Sequence, residues 1–353
     1  MNQISPEVLG LSNEAVALAR GQKIFYVNPA GIKLLGGDVS GQNLAAVFGA
    51  EVAGAQAISF AGTACVRGRN ILLRVTRQED VTVIFFNPAE EAPGLLNEAF
   101  IYGLRGSLMT FGMATDICRV RAEELEDREL SGALAALGQS QYGLSRMVGN
   151  MTTVHQYLRN EMIFEPVELD IALFVRQYMD TLRSLRGDIE IICGGAERLY
   201  AAVDPNQTEQ LISNLISNCL LHAKGCSRIS VNVMDSGELA VLSVNDDGCG
   251  MDSDRLYSVF ERYRHIYSMS EMNGGAGLGL TVVRGIAEKH EGTLLLESRA
   301  GHGTTVRVSF RKKPRGQVLL RNGEEHYGGE IKKLLLGLAG CLDNKYYMER
   351  YMD

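Results

Sequence analysis

The chain has no histidine before His155, no CxxC pair, no long run of charges of one sign and no long apolar stretch. Each absence excludes something. Without about 18 consecutive apolar residues, no transmembrane helix is expected. The formal net charge is −7, from 35 basic and 42 acidic residues. With that balance and no long run of basic residues, a nucleic-acid surface is disfavoured, because such a surface needs concentrated positive charge. The seven cysteines, at positions 65, 118, 193, 219, 226, 249 and 341, are dispersed and odd in number. That leaves zinc and dithiol readings weak and fits reduced thiols in a cytoplasmic protein. Cys249 lies in a glycine-rich loop, where a small residue is the simplest explanation. The opening MNQISPEVLG lacks the basic start and apolar core of a signal peptide.

What is present is an ordinary globular composition, 46% hydrophobic and 22% charged. At roughly 100–200 residues per domain, the length allows two or three domains. Residues 1–90 read as a small α+β unit. The runs 15–20 and 23–27 flank Gly21-Gln22 as a hairpin would, and Asn28-Pro29 opens a helical stretch, AGIKLLGG. Strand-like runs follow at 63–67, 71–75 and 81–86, the last two separated by polar TRQED. This order, and IFYVNPAGIKLLG in particular, resembles a PAS sensor domain. With no histidine in the segment, histidine-ligated haem is excluded there.

Residues 91–165 carry helical periodicity. Ile101, Leu104, Leu108, Phe111 and Cys118 follow one stripe; Leu144, Met147, Met151, Val154, Leu158 and Met162 follow another. The charged stretch RVRAEELEDREL (119–130) separates them. Two such helices form an antiparallel hairpin that cannot bury its stripe alone, and pairing two copies into a four-helix bundle does so. A homodimer is expected.

Residues 166–312 hold five short motifs in order: NLISNCLLH (214–222), DDGCG (246–250), FERY (260–263), GGAGLGL (274–280) and GHGTT (301–305). Asn214 and Asn218 are one helical turn apart and share a face; their amide oxygens suit magnesium, which keeps most of its waters. Asp246 ends an apolar strand, where a carboxylate can accept from an adenine amino group. Gly248 and Gly250 allow close backbone approach. Gly275, Gly277 and Gly279, with Leu278, precede a helix whose amide hydrogens face an anion. Each motif alone is a common turn or helix pattern; the order and spacing together are not. They resemble the Bergerat-type ATP lobe of sensor histidine kinases.

That resemblance implies an α/β multidomain protein: an α+β PAS-like domain, an antiparallel hairpin forming a dimeric four-helix bundle, and an α/β sandwich ATPase lobe. It implies ATP and Mg2+ as cofactors, with Asn218 holding the metal. Asn214, His222, Asp246, Gly248, Gly250, Tyr263, Gly275, Gly277, Leu278, Gly279 and Thr304 would line the nucleotide. HIYSMSEMNG matches the family's mobile lid, Phe260 and Tyr263 the aromatic box that docks it. Arg262 and Arg264 are equal candidates for the γ-phosphate. One departure is Leu221, where the family commonly has lysine. Residues 313–353 match nothing in the family; the helical spacing of EIKKLLLGLAGCL suits docking on the lobe, association, or a loose tail.

The acceptor segment departs further. Tyr102-Gly103-Leu104-Arg105-Gly106-Ser107-Leu108 aligns where the family has His-Glu-Leu-Arg-Thr-Pro-Leu. Neutral imidazole is a competent nucleophile at cytosolic pH, and the adjacent acid takes its proton. Phenols ionise near about pH 10 and are poor nucleophiles below it. The resemblance therefore implies a histidine kinase-like, ATP-binding signalling protein with no autophosphorylation on histidine at position 102. Its partners would be a response regulator or partner kinase. The alternative is an active kinase using Tyr102, Ser107 or a partner protein as acceptor, as anti-sigma serine kinases do. His155, the only histidine in the hairpin, reads as a packing or surface residue.

Overall fold

The computed structural model describes residues 15–55, 58–78, 80–88, 98–253, 255–256, 278–313 and 331–347. At the N-terminal end, β1 (Ala15–Arg20) and β2 (Lys23–Val27) pair antiparallel about Gly21, whose φ of +56° suits the turn. Buried Asn28 caps α1 (Pro29–Leu35), accepting the Gly31 N–H at 2.8 Å and the Val16 N–H at 2.9 Å. Two short helices follow, α2 (Leu44–Phe48) and α3 (Ala50–Gly54). Then come β3 (Ser59–Val66), β4 (Arg69–Gln78) and β5 (Val81–Pro88). The first three residues of the polar TRQED stretch are strand, because Thr76 to Gln78 continue β4 by pairing with Val83 to Val81. Backbone ladder bonds extend a strand where side chains are uninformative.

Helices α4 (Glu98–Glu124) and α5 (Arg128–Leu158) lie side by side. The charged stretch between them is mostly helix. It breaks only at 125–127, where Glu126 adopts a φ of +53° and Asp127 caps α5 by accepting the Leu130 N–H at 2.9 Å. The buried face of α4 is Ile101, Gly112, Thr115, Arg119 and Ala122, so the expected stripe is corrected at Phe111 and Cys118, which are exposed. The cause is Gly112, where a Cβ would stand 2.2 Å from Gln141 Nε2; helix contact turns onto this side. Leu144 and Met147 of α5 are likewise exposed. Among the described residues, no helix is long and apolar enough to cross a membrane.

The remaining elements are β6 (Val167–Asp170), α6 (Ile171–Leu185), β7 (Glu190–Gly195), β8 (Tyr200–Val203), α7 (Pro205–His222), β9 (Arg228–Ser236), β10 (Leu239–Asp246), α8 (Leu278–Lys289), β11 (Leu294–Ser298) and β12 (Thr304–Arg311). Strands β6 and β8 form a separate pair. The others join the N-terminal strands in one ten-stranded sheet, ordered β2-β1-β5-β4-β3-β11-β12-β10-β9-β7. All neighbours are antiparallel except β7 and β9. The seam is β3 against β11, with Gly62, Ala61 and Phe60 opposite Leu295, Leu296 and Glu297. Leu294 and Leu296 belong to the core beneath α6, α7 and α8, whereas Leu295 belongs to the N-terminal core with Phe60 and Phe86. Successive residues of a strand point to opposite faces, so β11 supplies both cores. Thr63 Oγ1 accepts the Leu294 N–H at 3.3 Å across the seam.

The C-terminal segment docks. Helix α9 (Ile331–Gly337) and a 3-10 turn (Asn344–Tyr347) place Leu334, Leu335, Leu338 and Tyr347 wholly inside the core of the C-terminal half. Tyr347 donates to the Leu335 carbonyl at 3.0 Å, and Gln139 of α5 donates to the Leu342 carbonyl at 2.7 Å.

Candidate nucleotide site

The site begins with helix α7. Asp204 caps it by accepting the N–H groups of Asn206 and Gln207, both at 3.1 Å, and Pro205 takes the first turn. This fixes the direction in which Asn214 and Asn218 project. A Cβ on Gly279 would stand 3.1 Å from Asn214 Oδ1 and 3.6 Å from Asn218 Oδ1. Both amides thus converge on the first turn of α8. Asn218 is half-buried and turned to the site.

Asp246 is 5% exposed at the end of β10, opposite Thr304 of β12. Its Oδ1 accepts the Gly248 N–H at 3.0 Å. Burial raises its pKa above the usual carboxylate range, against the lowering effect of the Gly248 and Thr304 N–H groups. The buried Cys219 thiol beside it is pushed well above its ordinary value, first by burial and then by this carboxylate. Sequence reasoning missed the neighbour, Asp247. Its carboxylate accepts the Ser227 N–H at 2.8 Å, the Ser227 hydroxyl at 2.6 Å and the Arg228 N–H at 2.9 Å. These bonds, led by the hydroxyl, hold its pKa far below the usual range. Asp247 ties the loop after α7 to the end of β10 and so aims Asp246 inward. The doubled aspartate was the available signal.

Glycines set how closely the loops approach. A Cβ at Gly248 would lie 2.5 Å from Ala223 Cβ; at Gly250, with φ +60°, one would lie 2.0 Å from the Arg299 carbonyl oxygen. At Gly303, with φ +79°, it would lie 1.9 Å from the Asp246 carbonyl oxygen. The 246–250 and 301–305 loops are therefore one laced unit, joined also by the Gly301 N–H donating to Cys249 O at 2.7 Å. His222 sits at an exposed position of the last turn of α7. Its pKa is lowered by partial burial, then by Arg255 and Arg146. Leu278 is half-buried against the core. Tyr263, Gly275, Gly277, Phe260, Arg262, Arg264 and the lid segment lie outside the described residues.

Asn214 is not open to the site in the way the sequence suggests. It is 1% exposed and pairs with Asn150 of α5. Asn150 Nδ2 donates to Asn214 Oδ1 at 2.9 Å, and Asn214 Nδ2 donates back to Asn150 Oδ1 at 3.2 Å. Gln210 Nε2 donates to the same Asn150 oxygen at 3.0 Å, and Thr153 donates to Gln210 Oε1 at 3.1 Å. Further along α5, Tyr157 covers Gly285 and donates to Glu288 Oε2 at 2.6 Å. The hairpin is seated directly on the two helices that border the site. His155 is half-buried on α5, a turn from Thr152, which accepts from Arg105 of α4 at 3.3 Å.

The residues present fit a magnesium–nucleotide complex. The donors are neutral amide oxygens and one buried carboxylate, beside backbone packed too tightly for side chains. Among the described residues, no cluster of three or more His, Cys, Asp or Glu could hold a metal by itself. A cation held mainly by phosphates and water is consistent with that set.

Residues 203–314 match the family of histidine kinase-, DNA gyrase B- and HSP90-like ATPases. That is the class the sheet, the asparagine helix and the laced glycine loops define. Relatives include the sensor histidine kinase RppB of Synechocystis sp., 30% identical over 152 residues, and WalK of Bacillus subtilis, 28% identical over 173. The matched regions are 43% and 48% of this chain but 32% and 28% of those proteins. Among solved structures, the histidine kinase ThkA in complex with the response regulator TrrA aligns over 89% of this chain and all of that one. Its identity is 17% and its TM-score 0.39. Residues 203–314 thus carry a histidine kinase-type ATPase domain, and the chain spans about a third of the length of the sensor histidine kinases it matches.

Proposed function

We propose that this is a cytoplasmic, PAS-containing member of the sensor histidine kinase family that binds Mg-ATP but does not phosphorylate itself at the acceptor position. In this reading, residues 1–90 sense, 91–165 dimerise, 166–312 hold nucleotide, and 331–347 of the C-terminal extension 313–353 brace the lobe against the hairpin. The supporting observation is a contrast between two sites. Around Asp246, the carboxylate is buried and the glycines stand where any Cβ would collide. Position 102, by contrast, carries a 61% exposed tyrosine followed by Gly103, with no adjacent acid to take a proton. Bound ATP supplies an electrophilic γ-phosphoryl group; the chain orients it through Asn218, Asp246 and the start of α8. Ser107 is already engaged, donating to the Gly103 carbonyl at 3.0 Å. Output then passes through the position of the lobe on the hairpin, read by a response regulator or partner kinase.

Homodimerisation is supported by an uncovered stripe. Met109, Met113, Ile117 and Val120 on α4 are spaced by four, four and three, and all are exposed, Ile117 at 70%. Leu130, Leu137 and Leu144 on α5 recur every seven residues and are also exposed. Such faces are covered by a second helical hairpin. The double variant Met113→Glu/Ile117→Glu should sediment as a monomer where the wild type sediments as a dimer.

Full-length protein incubated with radiolabelled Mg-ATP, beside calorimetry, tests the central reading. Binding without protein-bound label is expected. Acid-labile label, or no binding at all, would overturn it. Acid-stable label would favour the alternative of a hydroxyl acceptor.

A further inference from the structure

We propose that Arg146, contributed by hairpin helix α5, is the phosphate-side cation of the nucleotide site, so that ATP clamps the hairpin onto the lobe. This rests on the Mg-ATP reading and adds to it a residue from outside the ATPase lobe.

The geometry carries the assignment. Arg146 Nη2 lies 3.5 Å from Asn214 Oδ1 and hydrogen-bonds to the Ser217 hydroxyl; Nη1 donates to the Ala339 carbonyl at 3.4 Å. These acceptors are neutral oxygens, so the bonds orient the guanidinium without cancelling its charge. The Asn214 oxygen it meets is the one that stands 3.1 Å from the Cβ position of Gly279. The guanidinium therefore lies within about 7 Å of the first turn of α8, the end of a helix where amide hydrogens favour an anion. A flexible arginine covers that distance and grips phosphate in a fork. Its field also reaches the far end of α7, where it helps lower the pKa of His222.

A second observation says why a cation is needed there. Within α7 the position before His222 is Leu221, half-exposed and uncharged. A triphosphate on α8 would then face α7 with no basic residue between Asn214 and Leu221. Arg146 fills that electrostatic gap from the adjoining helix. Asn150, paired reciprocally with Asn214, holds α5 in the register that brings Arg146 to the site. It is a positioning residue. Because the cation and the lobe are on different units, nucleotide affinity and hairpin docking are linked, and each strengthens the other equally.

The test compares Mg-ATP, Mg-ADP and adenosine by calorimetry on full-length wild type, R146Q and R146K. R146Q should lose at least tenfold in ATP affinity, less for ADP and nothing for adenosine, and R146K should recover most of the loss. Hydrogen exchange on the wild type is the second measurement and needs no variant. ATP, but not adenosine, should protect the amides of residues 146–150. Equal loss for all three ligands would mean a purely structural arginine and would overturn the assignment, as would unchanged ATP affinity or equal protection by adenosine. Failure of wild type to bind any of the three would instead overturn the nucleotide reading itself, and this assignment with it.

Discussion

Leu295→Ala should loosen the N-terminal unit from the ATPase lobe while leaving both folded. Leu295 is part of β11, a lobe strand, yet its side chain is 3% exposed inside the N-terminal core. The backbone belongs to one unit and the burial to the other, so the energy it supplies is an energy of attachment. Truncating a buried leucine costs about 2–5 kcal/mol, part transfer and part cavity. Taking about 3 kcal/mol, the equilibrium between the joined and parted sheet shifts roughly a hundredfold. What remains to compensate is a ladder of three residue pairs, the Leu294 N–H to Thr63 bond and the Thr293 hydroxyl on Glu51. Gly62 sits there because a Cβ would come within 3.0 Å of the Leu294 carbonyl oxygen. Hydrogen exchange is the assay. Amides of Phe60 to Gly62 and Leu295 to Glu297 should exchange faster, with those in the middle of β4 and β10 unchanged. Leu294→Ala is the control: it removes the same atoms from the lobe core, on the opposite face, and should lower lobe stability without freeing β3 selectively. Unchanged protection of β3 and β11 in Leu295→Ala would refute the reasoning.

Three further outcomes are expected. Asp246→Asn keeps an oxygen for the Gly248 N–H and removes a buried charge. Because burial raises this carboxyl's folded pKa, its stability contribution is fullest at low pH and is lost as pH rises through that pKa. The variant should therefore unfold no earlier than wild type at neutral pH. It should still bind nucleotide about ten- to a hundredfold more weakly by calorimetry, the loss of a charged acceptor. Gly303→Ala forces a Cβ against the Asp246 carbonyl at φ +79° and should lower the unfolding midpoint and nucleotide affinity together, measured by thermal shift with and without Mg-ATP. His290 is buried between Phe164 and Phe310, accepts the Asp204 N–H at 3.0 Å, and has its pKa brought down to about 4 by burial. A depressed histidine contributes stability above its unfolded pKa of about 6.5, lost as pH falls through the folded value, on the order of 3 kcal/mol in all. Urea unfolding between those pH values should be steeply pH-dependent in wild type and flatter in His290→Gln.

The local grammar of this protein was legible in the residues. The hairpin turn at Gly21, the cap at Asn28, the long paired helices, the asparagines one turn apart and the strand ending in Asp246 each rest on periodicity or on a neighbour within a few positions. The five ordered motifs extended that reading to a nucleotide site, although Tyr263, Gly275 and Gly277 lie outside the described residues. What the tertiary structure alone decided is where units meet. Asn214 looks like a free ligand in a helix and is instead paired to Asn150, 64 residues earlier. The tail could have docked or dangled; four large side chains buried in the core put its residues 331–347 against α5, α6 and α7. The pairing of β3 with β11, across 231 residues at Thr63 and Leu294, has no sequence signature. An edge strand offers the same backbone groups whatever its side chains. Which edge covers it depends on where the rest of the chain leaves an edge open.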